Sequence, residues 1–368
     1  MDEVSVLKRL LEAYSPSGEE GAAVREFTQL GKLLGLSTRI DEAGNGFARR
    51  GSGKPQVLFL GHIDTVPGEL PVAVKDGRIT GRGACDAKGP LAAALVAASR
   101  HTGPGEIVIA AAVGEEKDSR GARHLIPRHS PDFLIVGEPS GWDGITIGYK
   151  GNVSLQLLFG GERTHLSSPT QTTVETALAF VRRLQEFCWE HRGETPFTSL
   201  TAKVHSITTT RDGGRESVEV GVNLRLPERV RVAEIVQFLE ENDLAGKYRI
   251  PDSSEAVVAD RDSPVARALR LAIRRRGGEP KLLRKSGTAD MNLAVPVWGC
   301  PAAAYGPGDA HLDHTDQESL LVEEYRRSIG VLEAAFETLV HIAGPTRAAR
   351  AARASPSRQS LTRSAVRG

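Results

Sequence analysis

Residues 57 to 90, VLFLGHIDTVPGELPVAVKDGRITGRGACDAKGP, decide how the chain folds. Val57 to Leu60 form an apolar run of the length of a buried strand, and the period-two pleat of a strand carries His62 and Asp64 to one side of its end. Imidazole suits zinc, and a carboxylate two residues on can accept the other ring N–H, fixing tautomer and orientation. Asp86 follows in Gly81-Arg82-Gly83-Ala84-Cys85-Asp86, where glycines let the backbone approach the site closely.

A lone His-x-Asp is a weak signal, because such pairs also occur in solvated loops. The rest of the chain strengthens it. Glu115 and Glu116 follow the apolar run Ile107 to Val113, Glu138 follows Phe133 to Val136, and His314 lies in the loop that begins Tyr305-Gly306-Pro307-Gly308-Asp309. Each comes just after an expected strand, where open α/β sheets gather their ligands. Two divalent metal ions sharing one carboxylate would use this set and leave one carboxylate as a base.

Moving outward, helical spacing predicts a helix over residues 3 to 13 and a second from Glu19 toward Leu34, with Ser17 as its N-cap. Strands and helices then alternate through Phe133 to Val136, which argues for α/β: a mixed, mostly parallel sheet with helices on both faces. Near Gly148-Tyr149-Lys150-Gly151 the pattern changes. Val153 to Phe159 alternates as a half-exposed strand, a long helix covers Val174 to Glu190, and two alternating strands, a helix at Val232 to Glu241 and a strand near Tyr248 follow. The order β-α-β-β-α-β is that of an inserted α+β ferredoxin-like domain. The expected division is residues 1–149 with 259–343 as one discontinuous domain, 150–258 as a lid or dimerisation insert, and 344–368 as a disordered basic tail with six arginines from Pro345 and no acid.

The chain has 368 residues, with Lys+Arg 47 against Asp+Glu 46 and a formal net charge of +1, which offers no bulk field for nucleic acid or a membrane surface. Cys85, Cys188 and Cys300 show no paired or metal-finger spacing, as expected of a cytoplasmic protein. No apolar stretch approaches the roughly 18 residues of a membrane span.

Taken together, GHIDTVP, GRGACDAKG, GEEKDSRGA, VGEP and HTDQE resemble the zinc-dependent exopeptidase and deacylase family of acetylornithine deacetylase, succinyl-diaminopimelate desuccinylase, aminoacylase and carboxypeptidase G, over residues 1 to 343. The resemblance implies two divalent metal ions, zinc or cobalt: His62, Asp86 and Glu138 on one, Asp86, Glu116 and His314 on the other. It implies Glu115 as general base with Asp64 supporting, and a cis peptide between Asp86 and Ala87. His311 competes with His314, but His314 has the family spacing, five residues after Asp309 and four before Glu318. Within GGERTHLSSP, His165 resembles the histidine that stabilises an oxyanion from a partner subunit, so a homodimer is implied. Arg225 matches an arginine that grips a substrate carboxylate.

Gly148-Tyr149-Lys150-Gly151, the stretch 286–292 and Leu312-Asp313-His314-Thr315 resemble the branch that releases lysine or ornithine from the terminal glutamate of an acidic, LysW-type amino-group carrier protein, in lysine and arginine biosynthesis. On that branch Lys150, Arg163, Arg284 and Lys285 would form a basic rim, and Asp290 an acidic group for the released side chain. A small-molecule N-acyl amino acid deacylase and a non-catalytic binding protein are the competing classes. The complete ligand set with its base favours an enzyme.

Overall fold

The computed structural model describes residues 1–242, 244 and 247–342, so the tail expected at 344–368 lies outside the described residues. Helices α1 (Glu3–Glu12) and α2 (Gly21–Leu33) precede strands β1 (Ser37–Ile40), β2 (Gly46–Ser52) and β3 (Gln56–His62). Next come the hairpin β4 (Ala73–Lys75) and β5 (Arg78–Thr80), helix α3 (Lys88–Ser99), strand β6 (Gly105–Ala112), helix α4 (Arg120–Leu125), and strands β7 (Phe133–Gly137) and β8 (Gly144–Tyr149). The middle of the chain forms β9 (Gly151–Glu162), α5 (Thr173–Glu190), β10 (Thr201–Asp212), β11 (Arg215–Leu226), α6 (Val232–Glu241) and β12 (Tyr248–Ser254). The last third supplies β13 (Val257–Val258), α7 (Pro264–Arg275), β14 (Lys281–Lys285), α8 (Met291–Trp298), β15 (Ala302–Ala304), β16 (Ser319–Leu321) and α9 (Val322–Val340).

A nine-stranded sheet runs β1-β2-β6-β3-β7-β15-β8-β13, with β14 also on β8. Its centre, β6-β3-β7-β15, is parallel, while β2 and β8 join antiparallel. Parallel strands covered on both faces read as continuous apolar runs. In β3, Val57 and Phe59 face the core under α1, α3, α7 and α9, and Leu58 and Leu60 face the core under α4 and α8. Phe59 is wholly buried, and a Cβ at Gly137 would stand 2.5 Å from its ring, so neither position tolerates a change of size. Phe59→Ala should cost about 3–5 kcal/mol. Helix α3 is buried on nearly every side, which its alanine-rich sequence permits.

The segment between β8 and β13 makes a separate antiparallel sheet, β10-β11-β9-β12, in the ferredoxin-like order. Val153, Leu155, Val222 and Leu224 point to a core under α5 and α6, and the residues between them point the other way. A capping box of Thr172 and Glu175 starts α5.

Three expectations change. Ser17 does not cap α2, whose N-cap is Glu20 without a side-chain bond; the Ser17 hydroxyl donates instead to Asp64 at 2.7 Å. Residues 319–321, where the sequence predicts the start of a helix running from Ser319 to His341, are a strand paired with β5. The short strands β14 and β15 and the fully buried β8, rich in glycine and placed where the pattern shifts, gave too little periodicity to be anticipated.

Candidate metal centre

The register of the parallel strands aligns Ala111, Gly61 and Gly137 in one row, so the residues that follow converge at one edge of the sheet. His62 ends β3, Glu115 and Glu116 lie just beyond β6, and Glu138 directly follows β7. Asp86 comes from the turn before α3, and His314 from the loop between β15 and β16, where it adopts a φ of 62°. The ligand atoms of His62, Asp86 and Glu138 lie within 4.8 Å of one another, and so do those of Asp86, Glu116 and His314. Asp86 belongs to both groups. Its Oδ1 is 2.9 Å from His62 Nε2 and its Oδ2 is 3.2 Å from His314 Nε2, while Glu116 Oε1 is 2.9 Å from the same His314 nitrogen.

The supports around this cluster differ from the expectation in one respect. His62 Nδ1 lies 3.0 Å from the backbone carbonyl of Asp64, closer than the 3.6 Å to its carboxylate, so the carbonyl orients the ring. The Asp64 carboxylate has other work: it accepts the backbone N–H groups of Glu115 at 3.0 Å and Glu116 at 3.1 Å, and the Ser17 hydroxyl. A wholly buried carboxylate thus holds the turn that points two glutamates at the cluster. Glu318 does the same for Asp86: its Oε1 accepts the N–H groups of Cys85 and Asp86, and its Oε2 pairs with Arg82 Nη1 at 3.1 Å. The glycines of this turn are needed for packing, since a Cβ at Gly83 (φ +89°) would meet the Thr65 methyl at 2.9 Å and one at Gly89 the carbonyl of Ala84 at 2.2 Å. The Asp86–Ala87 peptide is cis, as the resemblance implied.

Carboxylates dominate the cluster. Burial drives the Glu115 carboxyl well above its usual range, with Glu138, Asp290 and Glu116 adding to the rise and His62 opposing it. Burial and the neighbouring Asp86 push Glu138 up to about 8. Hydrogen bonds to Asp86 and Glu116 push His314 up to about 10, and His62 rises well above its usual value because its carboxylate partners outweigh burial. For Asp86 burial works upward, but the two imidazoles hold it well below the carboxylate range. Such a set of convergent oxygens and imidazole nitrogens, short of positive charge, fits divalent metal ions.

A cavity of about 490 Å³ opens beside the cluster, within the range of small-molecule sites. Asp86, Glu115, Glu116, Glu138 and His314 line one side and Arg225 the other. Arg225 Nη1 donates to Thr288 Oγ1 at 3.2 Å, and burial lowers its pKa. Asp290 stands behind the wall rather than on it: it is 2% exposed, Oδ1 has no hydrogen-bond partner, and burial pushes its pKa up to about 6. His165 is not at this cavity. It is exposed, bonded to Ser167 Oγ at 2.7 Å, and lines another cavity with Arg163 and Arg211. His311 stays in its loop, its N–H bonded to Asp309.

The basic rim needs correcting. Lys150 is buried, with Nζ donating to the carbonyls of Pro196 and Ser199, and its pKa is lowered to about 8 by burial and by Arg225. Lys285 donates to the Pro139 carbonyl, Arg284 lies over the Phe197 ring, and Arg163 is with His165. The cations that line the cavity are Lys117, Arg123 and Arg225.

Sequence reasoning missed Ser17, Arg82 and Glu318, whose roles depend on contacts distant in the chain. Apart from Arg225, it also missed the polar residues of β9, β11 and β12 that form the cavity wall. Their signal was present in the alternation of Asn152 and Ser154 with Val153 and Leu155, which marks a strand with one polar face.

The model of peptidase family M20/M25/M40 matches residues 58–338. A Thermococcus kodakarensis protein, provisionally named a LysW-lysine/LysW-ornithine hydrolase, is 38% identical over 340 residues, 92% of this chain and 92% of its own. The LysW-lysine hydrolase of Deinococcus radiodurans is 34% identical over 350 residues, 91% of this chain and 96% of its own. Among solved structures, the M20 family metallo-carboxypeptidase Sso-CP2 of Sulfolobus solfataricus superposes with a TM-score of 0.73 at 19% identity, covering 93% of this chain and 100% of its own. At that identity the likeness concerns the fold.

Proposed function

We propose a substrate and a set of residue roles on one premise: this chain belongs to peptidase family M20/M25/M40. It is a metal-dependent hydrolase of an amide bond. The substrate is a LysW-type amino-group carrier protein whose terminal glutamate side chain blocks the α-amino group of lysine or ornithine, and the product is the free amino acid, in lysine or arginine biosynthesis. The names of the two relatives support this. The observation that carries the chemistry is the convergence of four ligand residues about Asp86, with Glu115 beside them at the cavity.

His62, Asp86 and Glu138 would hold one ion, and Asp86, Glu116 and His314 the other; zinc is the proposed metal, with cobalt the alternative. Such a pair supplies Lewis acidity toward a carbonyl oxygen and toward water. The protein does the rest. Glu115, held by Asp64 through its backbone, takes the proton of the attacking water and gives it to the departing nitrogen. Arg225 grips the α-carboxylate of the amino acid to be released, for which a planar fork of donors is well shaped.

His165 is proposed to donate to the developing oxyanion from a second copy of the chain. Ten residues of β9 separate Asn152 at the cavity from Glu162 before the His165 loop, about 33 Å at strand rise, too far for this histidine to serve its own site. The division into a catalytic part, 1–149 with 259–343, and a lid at 150–258 belongs to the same proposal. The three cysteines are buried, and no helix among the described residues is long and apolar enough to cross a membrane; a cytoplasmic setting is proposed.

The test is turnover of carrier-linked lysine, carrier-linked ornithine, acetyl-lysine and acetylornithine by the full-length protein with zinc or cobalt. A carrier conjugate should be preferred. Preference for acetylornithine would replace this function with that of a small-molecule deacylase.

A further inference from the structure

The cavity wall opposite the ligand cluster is one face of the four-stranded sheet, and its register arranges six side chains in two rows. Across β11, β9 and β12, Arg225 pairs with Asn152 and Asn152 with Ser254; in the next row Asn223 pairs with Ser154 and Ser154 with Asp252. All six line the cavity. Only two are charged, and they stand at opposite corners: Arg225 at one, Asp252 at the other. Two strand spacings across and two residues along put their Cα atoms about 12 Å apart. The four residues between them are neutral, with Asn223 Nδ2 donating to Asn152 Oδ1 at 2.7 Å and Asn152 Nδ2 donating to Asp252 Oδ2 at 3.0 Å.

A face with one cation and one anion at the ends of a neutral diagonal is complementary to a zwitterion whose charges are separated by a flexible chain. The geometry points to Asp252 as the residue that accepts the ammonium at the end of the substrate's side chain while Arg225 holds its carboxylate. This deepens the function proposed above and rests on it. Asp252 is available for the part: its carboxylate is 44% exposed, toward the cavity it lines. Its Oδ1 accepts from Arg123 Nη2 at 2.8 Å, and Arg123 is itself fixed by donating Nε to the carbonyl of Asp118. A carboxylate has lone pairs for more than these two bonds. Asp118, the other acid on the wall outside the cluster and its base, is engaged with the Arg120 backbone N–H. Asp290 is sealed behind the surface.

Selection would then follow from the charged hydrogen bond to Asp252: a side chain of the same length without the ammonium cannot make it and faces the carboxylate with methylenes. Titration calorimetry of L-lysine and L-norleucine into the metal-replete full-length protein reads this directly, since norleucine keeps the carbon chain and lacks the ammonium. The wild type should bind lysine at least about tenfold more tightly, and Asp252→Asn should bring the two amino acids to near parity. Norleucine binding by the same Asp252→Asn sample reports that the face is intact. Arg123→Gln removes a competing cation from Asp252 and should widen the preference for lysine. No preference in the wild type, or a preference that survives Asp252→Asn, overturns the inference. Where Asp252→Asn binds neither amino acid, Arg123→Gln decides, and loss of the lysine preference there overturns it. Turnover of the carrier conjugate by the wild type judges the proposed function separately: a protein that selects lysine through Asp252 but leaves the conjugate uncut refutes the function and keeps this site.

Discussion

The two walls of the cavity are built on opposite plans. On one side, side chains leave the ends of parallel strands and two loops, and three of them are aimed by buried acids that accept backbone N–H groups: Asp64 for residues 115 and 116, Glu318 for residues 85 and 86. On the other, side chains stand in rows on a flat antiparallel face, placed by strand register and by bonds among themselves and to Arg123 and Thr288. The first plan buries and concentrates charge: burial, reinforced by neighbouring carboxylates, raises Glu115 and Glu138, and hydrogen bonds to Asp86 and Glu116 raise His314. The second spreads two opposite charges across neutral amides and hydroxyls. Crowded charge suits cations and proton transfer, and spaced charge suits recognition of a ligand's shape.

The largest break in this comparison should come from Asp86→Ala, because Asp86 joins both ligand groups. Metal analysis should fall from about two equivalents per chain to below one, with no measurable turnover. Full activity in this variant would end the assignment of the cluster. Glu115→Gln separates proton transfer from metal binding within the same wall. Metal content should stay at the wild-type level while kcat drops roughly 10²- to 10⁴-fold. If kcat held, the base would have to be sought elsewhere.

His165 tests whether the flat wall is completed from outside. His165→Ala should lower kcat by roughly 10²-fold or more. Mixed with the Glu115→Gln protein, it should recover activity, since a heterodimer pairs one intact cluster with one intact His165. Additive inactivity in the mixture, with subunit exchange shown by mass, would return His165 to the role of a surface loop residue.

Asp64→Asn probes the support rather than the ligands. An amide in place of the carboxylate must turn an NH₂ toward one of the two backbone N–H groups it now accepts. Metal affinity or turnover should fall about 10- to 100-fold with the fold retained. An effect as small as that of an exposed substitution would mean that the 115–116 turn holds itself.

How much of each wall could be read in the sequence follows from the two plans. His62, Glu115, Glu116 and Glu138 were legible because each follows a recognisable strand, and strand ends converge in an open α/β sheet; Asp86 and His314 were legible from their motifs and spacing. Asp64 was legible as a position but not as a function: the pairing with His62 looked local, whereas its carboxylate serves Ser17 and residues 115 and 116, about fifty residues away on either side of it in sequence. Lys150 misled for the same reason, since only the folded chain brings the carbonyls of Pro196 and Ser199 to its ammonium. Asp252 carries no motif at all. It lies beyond a register irregularity of β12, so alternation counted from Tyr248 cannot say which way it points.

The smallest expected effect is the finest test of the flat wall. Arg225→Lys keeps the charge and much of the length, so a wall that acted only through net charge would not register the change. Lysine offers a point charge with rotating donors, whereas the guanidinium offers a planar fork that meets a carboxylate with two parallel bonds. Arg225 is also tied to the body of the protein through Thr288 Oγ1, which holds the fork at one angle to the cavity. Losing one charged hydrogen bond and that alignment should raise KM for the conjugated amino acid about tenfold and leave kcat within a few-fold. Thr288→Val, which removes the tether and keeps the arginine, should raise KM less. A KM unchanged in Arg225→Lys would mean that the strand register of β11 and β9 orders the cavity wall without reading the substrate, and the contrast between the two walls would reduce to one of architecture.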